Sequence, residues 1–311
     1  MKTLIAVATV LVAVAGAASA HQLPLGDGKV STSPRKGYVF SCQTRFPANA
    51  PGAHAAGPWI SGDSYDPARK PTVDGAASWP ASLTISLEGG NRVIRANSLP
   101  RHATGNFPIT SSDDAYNYDR NPNRIREQPV VMRLPVVPST ATPSCVPMGM
   151  IGFALTGTAI FNALDAGGRD APAHEIQDRC NGHPERNGQY HYHDASPCLT
   201  DSHGQPGGHS DVIGYALDGF GIFGLRGEGG KTVVNADLDA CHGHTHEVVW
   251  DGGKRAIYHY HLTAEYPYTI GCFMGKPVAQ PVRQAGPPER GPPPGMRLPP
   301  SGGPRPPWRQ N

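Results

Sequence analysis

Eleven of the chain's 14 histidines fall between His174 and His261, most of them in two matched sets. From Asp178 the chain reads Asp-Arg-Cys-Asn-Gly-His to His183, then Tyr190-His191-Tyr192-His193, then Cys198. From Asp239 it reads Asp-Ala-Cys-His-Gly-His to His244, then Tyr258-His259-Tyr260-His261, then Cys272. Side chains alternate between the two faces of a strand, so His191 and His193 share one face and Tyr190 and Tyr192 the other. The same holds for His259 and His261 against Tyr258 and Tyr260. Imidazoles two residues apart on a strand sit ~6.5–7 Å apart along the chain, a gap that a metal ion bridges with suitable rotamers. Imidazole suits zinc, copper, nickel or iron, and copper or zinc is expected first. His191, His193, His259 and His261 are the core ligand candidates, with His183 and His244 next. If the copies pack about a pseudo-twofold axis, the four core imidazoles meet at one place. Asp178, Asp218 and Asp239 are read as carboxylate ligands or as acceptors that orient a ring N–H.

The apolar segments before the two sets also match. Ile151-Gly-Phe-Ala-Leu-Thr-Gly-Thr-Ala-Ile-Phe161 precedes the first and Ile213-Gly-Tyr-Ala-Leu-Asp-Gly-Phe-Gly-Ile-Phe223 the second. Ordered matches at nearly constant spacing indicate an internal duplication, a pseudo-symmetric pair rather than a long solenoid. Six cysteines allow 15 connectivities. The duplication favours Cys180–Cys198 and Cys241–Cys272, each enclosing one set, which leaves Cys42–Cys145.

Two Tyr-His-Tyr-His blocks, each after Asp-x-Cys-x-Gly-His, resemble the bacterial YHYH domain family. The resemblance covers roughly Asn97 to Gly275, including a Leu-Pro, His, Gly and Phe-Pro pattern between Asn97 and Pro108. The family name describes a sequence and implies no particular chemistry, so the residues carry the functional reading.

Other histidines rank lower. His242 and His246 extend the second copy only, and either widen its site or lie exposed. His203 and His209 occupy a Gly-rich loop between the copies and read as a lid. His102 and His174 read as structural residues with an accessory ligand role as the alternative. Cleavage after Ala20 would expose His21, whose amine and ring can chelate copper. No Gly-x-Ser-x-Gly, His-Glu-x-x-His or Walker-type loop is present; His174-Glu175 and His246-Glu247 lack the second histidine. An enzyme here would therefore work through a metal-activated water or an oxidative centre at the histidines. Two readings stand beside metal binding: such a metal-dependent enzyme, and a metal-free structural or interaction module whose Tyr/His ladders bond backbone carbonyls.

Residues 1–20 read as a secretory signal, with Lys2, an apolar run from Leu4 to Val14, and Ala18-Ser19-Ala20. The run is too short for a comfortable membrane span, and no later one is long enough. Export to the periplasm or beyond is expected, and an even cysteine count there favours disulfides over thiolate metal sites. From Lys276 onward six basic residues face one acidic residue, which leaves the body between signal and tail at about −4. An acidic body suits a cation ligand, and no basic stripe with interleaved aromatics points to nucleic acid.

Gly and Pro number 38 and 33, so long regular elements are not expected. Residues 21–36 read as a flexible N-terminus. Gly37–Phe46 reads as a first strand, and residues 82–87 and 92–96 as a hairpin around Gly89-Gly90. Pro129–Pro135 reads as a strand kept off the sheet centre by its prolines, and residues 170–177 as one turn or a short helix. Each Gly-(Phe/Tyr)-Ala-Leu-x-Gly segment reads as strand–turn–strand. The expected architecture is an all-β or β-dominated, disulfide-stabilised single domain over 37–275, with long loops and an internal pseudo-twofold duplication (halves 151–198 and 213–272). Residues 276–311 read as a disordered Pro/Gly/Arg-rich tail.

Overall fold

A computed structural model of the chain describes residues 22–199 and 208–281. The fold is β-dominated, and its one α-helix among the described residues, α1 (Ala171–His174), is a single turn. The expected signal segment, His21 and His203 lie outside the described residues, as does the tail beyond 281. No helix among the described residues is long and apolar enough to cross a membrane.

Eight strands form the central sheet: β1 (Met150–Ala154), β2 (Ala159–Phe161), β3 (Gly182–Pro184), β4 (Tyr190–Tyr192), β5 (Val212–Ala216), β6 (Gly221–Phe223), β7 (Gly243–Trp250) and β8 (Gly253–His261). Their spatial order is β3-β4-β2-β1-β5-β6-β8-β7. The order is symmetric about its centre, because β5 to β8 repeat the roles of β1 to β4. Each apolar segment is a hairpin, β1–β2 and β5–β6. Gly157 and Gly219 take φ of 92° and 90° in these turns, in the left-handed region open to glycine. Each hairpin then receives its Tyr-His-Tyr-His strand in parallel, β2 with β4 and β6 with β8. At the centre β1 and β5 run antiparallel, with Phe153 opposite Tyr215. These two occupy matching positions in the two apolar segments. Gly152 and Gly214 keep the seam close: a Cβ at Gly214 would lie 2.7 Å from the Phe153 carbonyl oxygen.

The apolar residues of both halves share one core, which includes Phe153, Ile160, Ile222, Phe223 and all four motif tyrosines. The hairpin Leu83–Glu88 and Asn91–Ala96 turns through Gly89-Gly90, both at positive φ, and Val130–Pro135 adds the other edge of that three-stranded sheet. A smaller cluster of Trp59, Tyr65, Ile109, Ala173 and Ile176 lies beneath α1.

Three expectations need correction. Of residues 37–46 only Val39–Phe40 is strand. Residues 22–36 are tied in: Leu23–Pro24 pairs with Ser64–Tyr65, Val30–Ser31 pairs with Val39–Phe40, and Gly26 N donates to Asp170 Oδ2 at 2.7 Å. Their polar composition hides pairing that is made through the backbone. Residues 276–281 also bind the domain, since Val278 N donates to the Leu217 carbonyl and Gln280 Nε2 to those of Met148 and Met150.

Candidate metal centres

The Asp-x-Cys-x-Gly-His segment is a tight turn, and each of its residues has a physical task. Asp178 Oδ1 accepts from the backbone N–H groups of Cys180 (2.8 Å) and Gly182 (3.3 Å); Asp239 Oδ1 accepts from those of Cys241 (2.8 Å) and Gly243 (3.1 Å). The residue before each glycine, Asn181 or His242, is left-handed with φ 55° or 74°. The glycines make room for tyrosine: a Cβ at Gly182 would lie 2.2 Å from the Tyr190 ring, and one at Gly243 would lie 2.4 Å from the Tyr258 hydroxyl oxygen. The turn delivers His183 directly opposite His191, and His244 directly opposite His259. Disulfides Cys42–Cys145, Cys180–Cys198 and Cys241–Cys272 all form, the pairing expected from the duplication.

The strand alternation also holds. Tyr190 donates to Asp178 (2.9 and 3.0 Å) and Tyr258 to Asp239 (3.1 Å). Tyr260 donates to Asp218 (2.6 Å), and Tyr192 is bonded to Thr156 (3.0 Å), the counterpart of Asp218. Asp178, Asp218 and Asp239 thus serve the tyrosines, and among the described residues none of their hydrogen bonds goes to a histidine ring. That differs from the ligand or ring-orienting role expected of them, because these carboxylates already accept tyrosine hydroxyls and backbone N–H groups.

Rings in the two copies are oriented alike. His191 Nδ1 lies 3.0 Å from the Gln189 carbonyl oxygen and His259 Nδ1 lies 3.0 Å from that of Ile257. His193 Nδ1 lies 2.5 Å from the Asn162 oxygen and His261 Nδ1 2.7 Å from the Gly224 oxygen. A carbonyl oxygen only accepts, so these contacts place the proton on Nδ1 and leave Nε2 as a lone pair. Phe161 stacks on His191 with ring centroids 3.8 Å apart, and Phe223 packs on His259 at 4.7 Å.

The histidines gather into two centres rather than one. Five strand spacings separate β4 from β8, about 24 Å across the sheet. The first centre holds His183, His191 and His193, all buried. His191 Nε2 and His193 Nε2 are 3.0 Å apart, and Glu175 Oε2 lies 3.4 Å from His183 Nε2 and 3.5 Å from His193 Nε2. No group among the described residues completes a hydrogen bond to Glu175 Oε2 or to either nitrogen of His183, although all are buried. Burial holds His183 well below the ordinary imidazole range and brings His193 down to about 4. Burial, with Asp119 and Asp165 nearby, pushes Glu175 well above the carboxylate range. Its segment is fixed from behind: Lys70 donates to the carbonyls of Glu175 (3.0 Å) and Pro172 and to Gln177 Oε1, and Trp59 Nε1 donates to the Ala173 carbonyl (2.9 Å).

The second centre unites His209, His244, His246, His259 and His261. His244 Nε2 and His246 Nε2 are 3.0 Å apart, and His261 Nε2 and His209 Nε2 are 3.1 Å apart. His209 Nδ1 and His246 Nδ1 lie against the carbonyls of Ser210 (2.7 Å) and Glu247 (3.1 Å). Burial lowers His244 to about 4, His259 to about 3 and His261 to about 2. No group among the described residues completes a hydrogen bond to the buried His259 Nε2.

All six histidines expected as ligands fall in these centres, split three and three before His209, His246 and Glu175 are added. The sequence marks those three less clearly: His246 as widening the site or exposed, His209 as part of a lid, and Glu175 only within a His-Glu pair that lacks the second histidine. For His246, two-residue spacing from His244 along one strand was a usable signal. His242 points elsewhere, bonded to Thr263 Oγ1 at 3.0 Å. His174 pairs with Asp27 at 2.8 Å, and His102 with the Tyr192 hydroxyl. His102 also lies near Cys180 and Cys198, whose disulfide removes both as thiolate ligands.

The sequence model of the family described as "YHYH protein" matches residues 131–233. The chain carries a YHYH domain. The matched span takes in the first Tyr-His-Tyr-His strand and the β5–β6 hairpin and ends before the second, narrower than the Asn97–Gly275 span of the resemblance. No curated protein and no solved structure matches the chain.

Proposed function

We propose that this YHYH-domain chain is an exported, duplicated transition-metal-binding protein with two centres. One is formed by His183, His191, His193 and Glu175, the other by His209, His244, His246, His259 and His261. The observation that carries the reading is a contact between lone pairs. In His191/His193 and again in His261/His209, backbone carbonyls hold the proton on Nδ1, and the two Nε2 atoms face each other at 3.0 and 3.1 Å. Two such atoms repel unless a cation lies between them. Burial disfavours a proton in that role, since it lowers His193 to about 4 and His261 to about 2. A metal ion fits: four ligands at about 2.0–2.1 Å from a tetrahedral zinc stand about 3.3 Å from one another. Three disulfides agree with an oxidising compartment.

The test is elemental analysis of the untagged chain after export, beside a variant with His191, His193, His259 and His261 all changed to Ala. Near-stoichiometric zinc or copper at both centres, absent from the variant, is expected. A metal-free chain that also gains no thermal stability from added zinc or copper overturns the proposal and leaves the ladders as scaffolding.

A further inference from the structure

The symmetric sheet carries two centres that are not chemically equivalent. In the first, His183, His191 and His193 are 3%, 2% and 3% exposed and Glu175 is 8% exposed. With Glu175 Oε2 3.4 and 3.5 Å from two of the three clustered imidazoles, a fourth donor is at hand to saturate a tetrahedral ion. All three histidines lie between Cys180 and Cys198, a bridged separation of 18 residues, and Glu175 is fixed by Lys70 through its own carbonyl. An ion there reaches solvent only when this packed region opens, and opening costs most where packing and hydrogen bonding are densest.

The second centre differs in ligand number, ligand type and access. Among the described residues it offers five imidazoles and no carboxylate. One imidazole can leave a bound ion while four remain. His209, His244 and His246 are half-buried, in contrast with His259 and His261. Glu228, 77% exposed, stands 4.0 Å from His246 Nδ1, and Glu247 on the same strand is also exposed, so anionic groups mark the solvent side. The Cys241–Cys272 bridge spans a longer separation of 31 residues and leaves His209 outside it. An all-nitrogen set follows the general affinity order in which copper(II) exceeds zinc.

Building on the metal reading above, we infer that the two centres have different tasks. The His183–His191–His193–Glu175 centre retains its ion as part of the fold. The five-histidine centre holds an exchangeable first-row cargo, copper(II) ahead of zinc, which a ligand in solution can take.

The experiment loads the full exported chain with zinc and copper(II) together, removes unbound metal, and follows both during challenge with excess EDTA. Copper is expected to leave at least about tenfold faster than the retained zinc, given that a half-buried ligand set opens more readily than a buried one. His246→Ala should speed or abolish copper retention without altering the zinc phase. Glu175→Gln, close in shape to the native side chain, should release the zinc and leave the copper phase unchanged. Both ions leaving at one rate, or a slow phase that responds to His246→Ala and not to Glu175→Gln, overturns the division of tasks. A chain that binds neither ion overturns the metal reading itself, and this inference with it.

Discussion

Glu175→Gln separates a metal ligand from a structural residue because the structure assigns its two states different roles. Without an ion, burial and the neighbouring Asp119 and Asp165 push the Glu175 carboxyl well above the ordinary carboxylate range, which favours its neutral form. Glutamine reproduces that neutral shape, so the metal-free variant should match the native chain within about 1 kcal/mol, the scale of one hydrogen bond. With zinc, the ionised carboxylate is lost from a four-donor set. Loss of about 100-fold in affinity is expected, the upper end of what even indirect partners of a ligand contribute. At free zinc 100 times the native dissociation constant, the first centre gains about 2.7 kcal/mol in the native chain but only about 0.4 in the variant. The difference of about 2.3 kcal/mol corresponds to a melting temperature about 5–9 °C lower for a domain of this size. Differential scanning fluorimetry with and without buffered zinc reads it directly. An equal loss in both conditions would make Glu175 structural, and no loss with zinc would remove it from the site.

Three further outcomes follow from the same geometry. Burial lowers His193 and His244 to about 4 and His259 to about 3, so protons compete for these rings only as pH falls towards those values, whereas Glu175 at the first centre takes a proton more readily. Metal at the second centre should survive gel filtration at pH 5.5, where an ordinary histidine is about nine-tenths protonated; half-release from that centre above pH 6 would refute this. Tyr260→Phe removes the 2.6 Å bond to buried Asp218 and the acceptor of Met274 N. It should cost about 1–3 kcal/mol in denaturant titration, with metal content unchanged; a loss of metal would contradict the separation of the faces. Gly182→Ala forces a methyl group against the Tyr190 ring at 2.2 Å. A cost of about 1–3 kcal/mol and metal loss confined to the first centre are expected, and a variant with native stability and metal content would be inconsistent with this packing.

Local periodicity made much of the site readable. Alternation in Tyr190–His193 and Tyr258–His261 placed rings on opposite faces, and the matched motifs paired the cysteines. The Gly89-Gly90 hairpin and the short helix near residue 171 were equally plain. What stayed hidden depends on long-range pairing. Whether two Tyr-His-Tyr-His strands meet or stand apart is decided by which strands occupy the sheet centre, and Gly152 and Gly214 reserve it for β1 and β5. Glu175 belongs to neither matched pattern, and only α1 and Lys70 bring it inward. Asp178 and Asp239 looked like partners of histidine because they are near it in sequence, whereas the turn points them at tyrosine hydroxyls.

The β1–β5 seam also bears on how such a sheet can be assembled. A polypeptide holding β1 to β4 alone would leave the hydrogen-bonding edge of β1 bare, and an open apolar edge recruits another strand. The strand best matched to cover it is β1 of an identical chain, meeting antiparallel about Phe153, as Phe153 here meets Tyr215. A half-length protein of this design is therefore expected to be a twofold homodimer with two identical centres. Joining the halves in one chain frees each centre from the other's substitutions, so one can take a carboxylate while its twin gathers five imidazoles.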